Sequence, residues 1–206
     1  MRISDSIPAL KGQLFVQSYQ TKPDSIMPFK PEPEWTNDSF VRSITPKGTT
    51  DPLILINAPK PDVIIAGEKK KAGIVVDIST NVLYTYDSEG NPTKAYLVAS
   101  GAKESPTEKG IRIVTHTETY PYKKAYGTKR KRNPKDYGPF VIVLEKINPK
   151  TGERSKTGEF IHGCRSYKET FETNPERYVS HGCVRMDNGA ITEVKEVKSG
   201  TIVIIK

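Results

Sequence analysis

The chain has 206 residues, of which 35% are hydrophobic, and a formal net charge of +8. That length holds one ordinary domain plus an appendage, and the low apolar content implies that part of the chain is extended or loosely attached. No run of about 18 apolar residues occurs, which excludes a transmembrane helix, and the opening Met1-Arg2-Ile3-Ser4-Asp5 lacks the apolar core of a secretory signal.

Residues 1–72 read as a Pro-rich N-terminal extension, partly irregular, ahead of a folded domain at 73–206. Nine of the sixteen prolines fall within residues 1–61. Each removes a backbone donor and pushes its predecessor towards extended geometry. Lys30-Pro31-Glu32-Pro33-Glu34 is expected to be a polyproline-like strip, and Trp35 an anchor for this arm, with sugar stacking as the alternative. The runs Leu14-Phe15-Val16 and Leu53-Ile54-Leu55-Ile56 suit strands or staples laid on the main domain.

From Gly73 the pattern becomes that of strands. Ile74-Val75-Val76-Asp77-Ile78 is a continuous apolar run, Asn81–Tyr86 alternates in part, and Ala95–Ala99 returns after the turn cluster Asp87–Pro92. Ile111-Arg112-Ile113-Val114 follows a Ser105-Pro106-Thr107 turn, and His116 beyond it reads as structural. Residues 121–135 then hold seven Lys and Arg with no acid, so the rest of the chain nets only about +1. Such a patch, centred on Lys129, Arg130, Lys131 and Arg132, suits an anionic wall polymer or a plain solvated loop. Nucleic acid is not expected, because no accompanying fold motif is present. Tyr137-Gly138-Pro139-Phe140 leads into the apolar strand Val141–Leu144, and Phe160-Ile161 enters a histidine. Asn174 before Pro175 predicts a helical turn over Pro175–Tyr178 with Asn174 as N-cap. Asp187–Ala190 suits another turn, and Thr201–Ile205 a closing strand. The fold class is therefore mainly β, a sandwich or partial barrel with one or two short helices.

Both cysteines and two of the three histidines fall within Phe160–Asp187, as His162-Gly163-Cys164 and Ser180-His181-Gly182-Cys183-Val184-Arg185-Met186. A thiol is a useful nucleophile only as thiolate, and a histidine within hydrogen-bond reach generates one. Cys183 is the candidate nucleophile, with backbone amides at Gly182 and Cys183 as oxyanion donors. His162 is the candidate base and His181 its rival. Another reading takes His162, Cys164, His181 and Cys183 as zinc ligands, although the one-residue gap within each His-Xaa-Cys pair suits a single metal poorly. A non-catalytic wall-binding module is a third reading.

This stretch resembles the L,D-transpeptidase (YkuD-type) catalytic domain, whose motif is His-Gly, a variable spacer, then Ser/Thr-His-Gly-Cys, an apolar residue and Arg. The strands at 74–86, the Ser105–Gly110 turn and Tyr137-Gly138-Pro139-Phe140 are similar to other elements of that family. The resemblance implies a catalytic domain at 73–206 that needs no cofactor and performs acyl transfer on peptidoglycan stem peptides, outside the cytoplasm. Cys183 would attack the third residue of a tetrapeptide stem and release D-Ala. An amine of a second stem would then resolve the thioester to a 3→3 cross-link. Water as acceptor would make an L,D-carboxypeptidase, and a lipoprotein lysine a wall anchor. His162 would be general base and acid, the Gly163 carbonyl would orient it, and Arg185 would hold the loop or a substrate carboxylate. Ser180, His181 and Tyr137 would face substrate or support the site, although Tyr137 suits a core position equally well. Cys164 stands where the family has a small polar residue, and reads as a small buried side chain or as partner in a reversible Cys164–Cys183 disulfide. The latter requires Cα atoms within about 7 Å.

Overall fold

The computed structural model describes residues 44–122 and 132–206. The Leu14–Val16 run, the strip at 30–34, Trp35, and Lys129, Arg130 and Lys131 lie outside the described residues.

Just after Ile44 the chain makes one helical turn, α1 (Pro52–Leu55). Asp51 caps it by accepting the Leu53 N–H, and Pro52 takes a first-turn position where its missing donor costs nothing. The apolar run at 53–56 is therefore a helical staple. Ile54 alone of the helix is buried, against Ile44, Val82 and Tyr84. The hairpin β1 (Asp62–Ile65) and β2 (Glu68–Lys71) follows. Next come β3 (Ile74–Asp77), β4 (Val82–Tyr86) and β5 (Pro92–Leu97), paired antiparallel in sequence. Short β6 (Ser100–Gly101) precedes long β7 (Gly110–Thr119). After α2 (Pro134–Tyr137), β8 (Phe140–Ile147) and β9 (Arg154–His162) extend the antiparallel pairing.

The chain then crosses a π-helical segment, Lys168–Glu172, to β10 (Tyr178–Ser180), β11 (Val184–Arg185), α3 (Asn188–Glu193) and β12 (Ile202–Ile205). The eight-stranded sheet has the order β11-β9-β8-β7-β12-β3-β4-β5. β12 enters its middle, parallel to β3 and antiparallel to β7.

Both faces of the β3–β5 region are covered, which is why its strands read as nearly continuous apolar runs. Leu83 and Tyr96 join the main core with Ile142, Ile161, Met186, Ile191 and Val203, while Val82, Tyr84, Ala95 and Leu97 face Ile44, Ile54, Cys164 and Phe171. Each fully buried aliphatic side chain contributes about 1.5–3 kcal/mol. α3 brings Ala190 and Ile191 onto the main core and is capped by Asp187, whose carboxylate accepts the N–H groups of Gly189 and Ala190. The helical turn expected at Pro175–Tyr178 does not form. Asn174 donates its side-chain amide to the Glu169 carbonyl at 2.7 Å, so it closes the π-helical segment, and Tyr178 already belongs to β10. The Asn-Pro signal marks a real boundary but belongs to the element before it.

Candidate active site

His162 ends β9 and is buried, with 3% of its surface exposed. Its Nδ1 lies 2.6 Å from the Gly163 carbonyl oxygen. A carbonyl only accepts, so Nδ1 carries the proton and the Nε2 lone pair is the basic one. The carbonyl is held in place by close backbone packing. A Cβ on Gly163 would stand 2.3 Å from Asn188 Oδ1 and 2.9 Å from the Gly138 Cα. Asn188 Oδ1 also accepts the Cys164 N–H at 3.0 Å, and Gly138 adopts φ +65 at the C-cap of α2. Tyr137, just before it, sets its ring 4.8 Å from the imidazole, centroid to centroid, and is half-buried.

Cys183 arrives from the other side. β11 runs parallel to β9 with Val184 opposite Ile161 and Arg185 opposite His162, so the residue preceding β11 stands beside the last residues of β9. The Phe160 N–H faces the Cys183 sulfur closely enough to favour its thiolate. Two hydroxyls shape the loop. Ser180 Oγ donates to the Cys183 carbonyl at 2.5 Å and accepts the Gly182 N–H at 3.2 Å. Thr107 Oγ1 donates to the Gly182 carbonyl at 2.9 Å and accepts the Gly101 N–H at 2.8 Å. Ser180 is buried and its hydroxyl bonds the loop backbone on both sides. Gly182 is required by its φ of +103, since its missing Cβ would have a nearest neighbour only at 3.9 Å.

Burial sets both protonation states. It drives the His162 pKa down to about 4, against the opposing pull of the Gly163 carbonyl, and the Arg185 and Arg132 guanidinium charges push the same way. Burial also raises the Cys183 thiol above its ordinary value, and the Phe160 amide and Arg185 recover part of that. Both shifts favour the neutral forms, a thiol at Cys183 and an imidazole at His162.

The remaining residues sort themselves by exposure. His181 is exposed while His162 is buried. Arg185 is partly buried, and its Nε has no hydrogen-bond partner among the described residues. His116 is exposed and bonded to Thr115 and Glu118. Both cysteines are free thiols, and Cys164 packs among Ile44, Val82 and Phe171. Among the described residues no three His, Cys, Asp or Glu side chains gather as metal ligands, so the two His-Xaa-Cys pairs do not form the set that the zinc reading needs.

Sequence reasoning missed Gly138, Asn188 and the placement of Arg132. Arg132 pairs bidentately with Glu118, at 2.9 and 3.1 Å, and lies over the Phe160 ring at 4.0 Å, near enough to the site to act on both His162 and Cys183. Of the basic patch, this member is engaged within the fold and not held out to a polymer. Arg112 was also read as part of a plain strand, yet it is fully buried.

Several solved structures are similar to this chain. The catalytic domain of the Enterococcus faecium L,D-transpeptidase, determined by NMR, is 20% identical over 66% of this chain and 98% of its own, with a TM-score of 0.47. Bdellovibrio bacteriovorus Bd1075 is 19% identical over 71% of this chain and 51% of its own, with a TM-score of 0.47. The helical cell shape determining protein Pgp2 of Campylobacter jejuni is 13% identical over 83% of this chain and 55% of its own, again with a TM-score of 0.47. The chain thus spans about half the length of several of the proteins it resembles. No curated protein matches. A family model for the L,D-transpeptidase catalytic domain, YkuD, matches residues 71–205, well over half of the sequence. The chain belongs to the YkuD L,D-transpeptidase catalytic domain family.

Proposed function

We propose that this protein is a cysteine acyltransferase acting on peptidoglycan tetrapeptide stems, with Cys183 as nucleophile and His162 as general base and acid. The observation that carries the reading is the His162 tautomer. Its Nδ1–H is fixed on the Gly163 carbonyl, which leaves Nε2 as acceptor at the end of β9, where the β9–β11 register brings in Cys183.

Because thiol and imidazole both rest neutral, proton transfer accompanies attack. The Cys183 proton moves to His162 Nε2 as sulfur bonds to the carbonyl carbon of the third stem residue. The Gly182 N–H is committed to Ser180, so the Cys183 N–H is the oxyanion donor this loop offers. His162 then protonates the departing D-Ala amine as the tetrahedral species collapses to a thioester. The acceptor amine loses a proton to His162, attacks the thioester and regenerates the thiol, giving the 3→3 cross-link. Arg185, whose buried Nε has no partner among the described residues, suits a substrate carboxylate, and Tyr137 forms the wall beside the imidazole. Stem peptides place the work outside the cytoplasm. Among the described residues no helix is long and apolar enough to cross a membrane.

The test is intact-protein mass after mixing with a disaccharide-tetrapeptide, wild type beside Cys183→Ala. The expected result is an adduct on wild type only, with released D-Ala and dimeric product. D-Ala without dimer assigns the acceptor to water, and a dimer-free adduct chased by a lipoprotein lysine peptide assigns it to a protein amine. No adduct under reducing conditions overturns the reading.

A further inference from the structure

Arg112 heads the fully buried side chains by volume and carries its charge into the sheet. Its nitrogens diverge. Nε donates to Glu159 Oε2 at 2.6 Å, Nη2 to the Glu108 carbonyl at 3.0 Å, and Nη1 to the Ile111 carbonyl at 3.3 Å. Glu159 reaches it across a break in β9. The β8–β9 register shifts between Val143–Phe160 and Glu145–Lys156, Gly158 turns at φ +74, and the Glu159 N–H donates to Thr157 Oγ1 at 3.1 Å. Bulges of this kind re-aim side chains and concentrate beside active sites.

A buried ion pair is a weak source of stability, because desolvating two charges cancels most of their attraction, and an apolar pair of similar volume does as well or better. The two ends of this one lead instead to the nucleophile. Glu108 follows Thr107, whose hydroxyl holds the Gly182 carbonyl. Glu159 precedes Phe160, whose amide meets the Cys183 sulfur. Arg112 therefore ties the residue after Thr107, which holds the Gly182 carbonyl, to the residue before Phe160, whose N–H faces the Cys183 sulfur.

We propose that the buried Arg112–Glu159 pair is a positioning device for the nucleophile, a strut that sets the Thr107 turn against the bulged strand and so fixes where the Cys183 sulfur stands relative to His162. It rests on the reading of Cys183 as nucleophile given above. The divergent fork requires a guanidinium, since an ammonium on a flexible stem cannot hold three acceptors in fixed directions.

The test compares wild type with Arg112→Lys and with the double variant Arg112→Met/Glu159→Met, each checked by thermal melt. The double variant is expected to melt close to wild type. Its kcat for D-Ala release from a disaccharide-tetrapeptide is expected to fall on the order of 10²-fold at near-constant KM, the signature of a displaced reacting atom. Arg112→Lys keeps the charge and loses the fork, and is expected to fall by roughly tenfold or more. A folded double variant with kcat within about twofold of wild type overturns the strut. If the double variant does not fold, Arg112→Lys decides by the same criterion. Should wild type release no D-Ala, the stem-peptide reading fails on its own. The strut is then judged by the pH midpoint of iodoacetamide alkylation mapped to Cys183. Arg112→Lys is expected to move that midpoint upward by loosening the Phe160 amide from the sulfur, and an unmoved midpoint overturns the proposal.

Discussion

The two halves of the site are held by different kinds of force. On the imidazole side the fixing is steric: Gly138, Gly163 and Asn188 lie so close that no Cβ fits at Gly163, and the carbonyl that sets the tautomer has nowhere to move. On the thiol side it is polar: hydroxyls of Ser180 and Thr107, with the Phe160 N–H, hold a loop whose Gly182 would bring a Cβ no closer than 3.9 Å to a neighbour. The difference fits the chemistry. In the proposed reaction the base would keep one orientation through every step, whereas the sulfur would change from thiol to tetrahedral adduct to thioester. A hydrogen-bonded loop adjusts by tenths of an ångström where close-packed backbone does not.

The sharpest way to break this contrast is Gly163→Ala. The added methyl meets Asn188 Oδ1 at 2.3 Å and backbone at 2.9 Å, and is expected to cost about 3 kcal/mol, with loss of acyl transfer. Chemical denaturation together with a D-Ala release assay checks both effects. An active Gly163→Ala variant would show that the imidazole side is not sterically fixed.

The buried neutral imidazole makes its own prediction in acid. Its folded pKa of about 4 lies below the unfolded value of 6.5, so the unfolded chain binds the proton first. The stability contributed by His162 is complete above pH 6.5 and falls as pH drops towards 4, by roughly 3 kcal/mol in all. Denaturation midpoints from pH 7 to 4 are expected to fall less steeply in His162→Gln, and parallel curves would refute the assignment.

Thr107→Val probes the polar side at nearly constant shape. It leaves the Gly182 carbonyl and Gly101 N–H without their partner, a cost of about 1–3 kcal/mol, and is expected to lower kcat more than it changes KM. Restoration by Thr107→Ser would locate the effect in the hydroxyl. The smallest change is expected from His181→Ala. As an exposed side chain, His181 is expected to contribute under about 0.5 kcal/mol, with turnover within about twofold of wild type. A large drop would return His181 to candidacy as base.

The strands were legible where period and length agreed, as in Ile74–Asp77, Val82–Tyr86 and Phe140–Ile147, and the loop of the candidate nucleophile could be singled out because its residues are contiguous. What escaped depends on contacts remote in sequence. Gly138, Gly163 and Asn188 meet only after α2, β9 and α3 have assembled. Arg112 sits between isoleucines in a stretch that reads as an ordinary strand, and only the bulge in β9 explains its partner. Asn174-Pro175 was visible as a signal, but whether it opens a helix or closes one is decided by the Glu169 carbonyl it reaches.

The middle position of β12 has a kinetic consequence. β3–β5 on one side and β7–β9 with β11 on the other are joined along the sheet through Ile202–Ile205, with an Ala99–Arg185 bridge between their far edges. β3–β5 and β8–β9 can pair by short hairpin closures, yet joining the two sides requires contacts such as Ile74 with Val203, across most of the domain. Closing so long a loop is entropically slow, so the sheet is expected to zip as two preformed wings and wait on its last strand. Val203 and Ile205 also complete the main core, so the closing strand that welds the wings is the one that seals the interior from water.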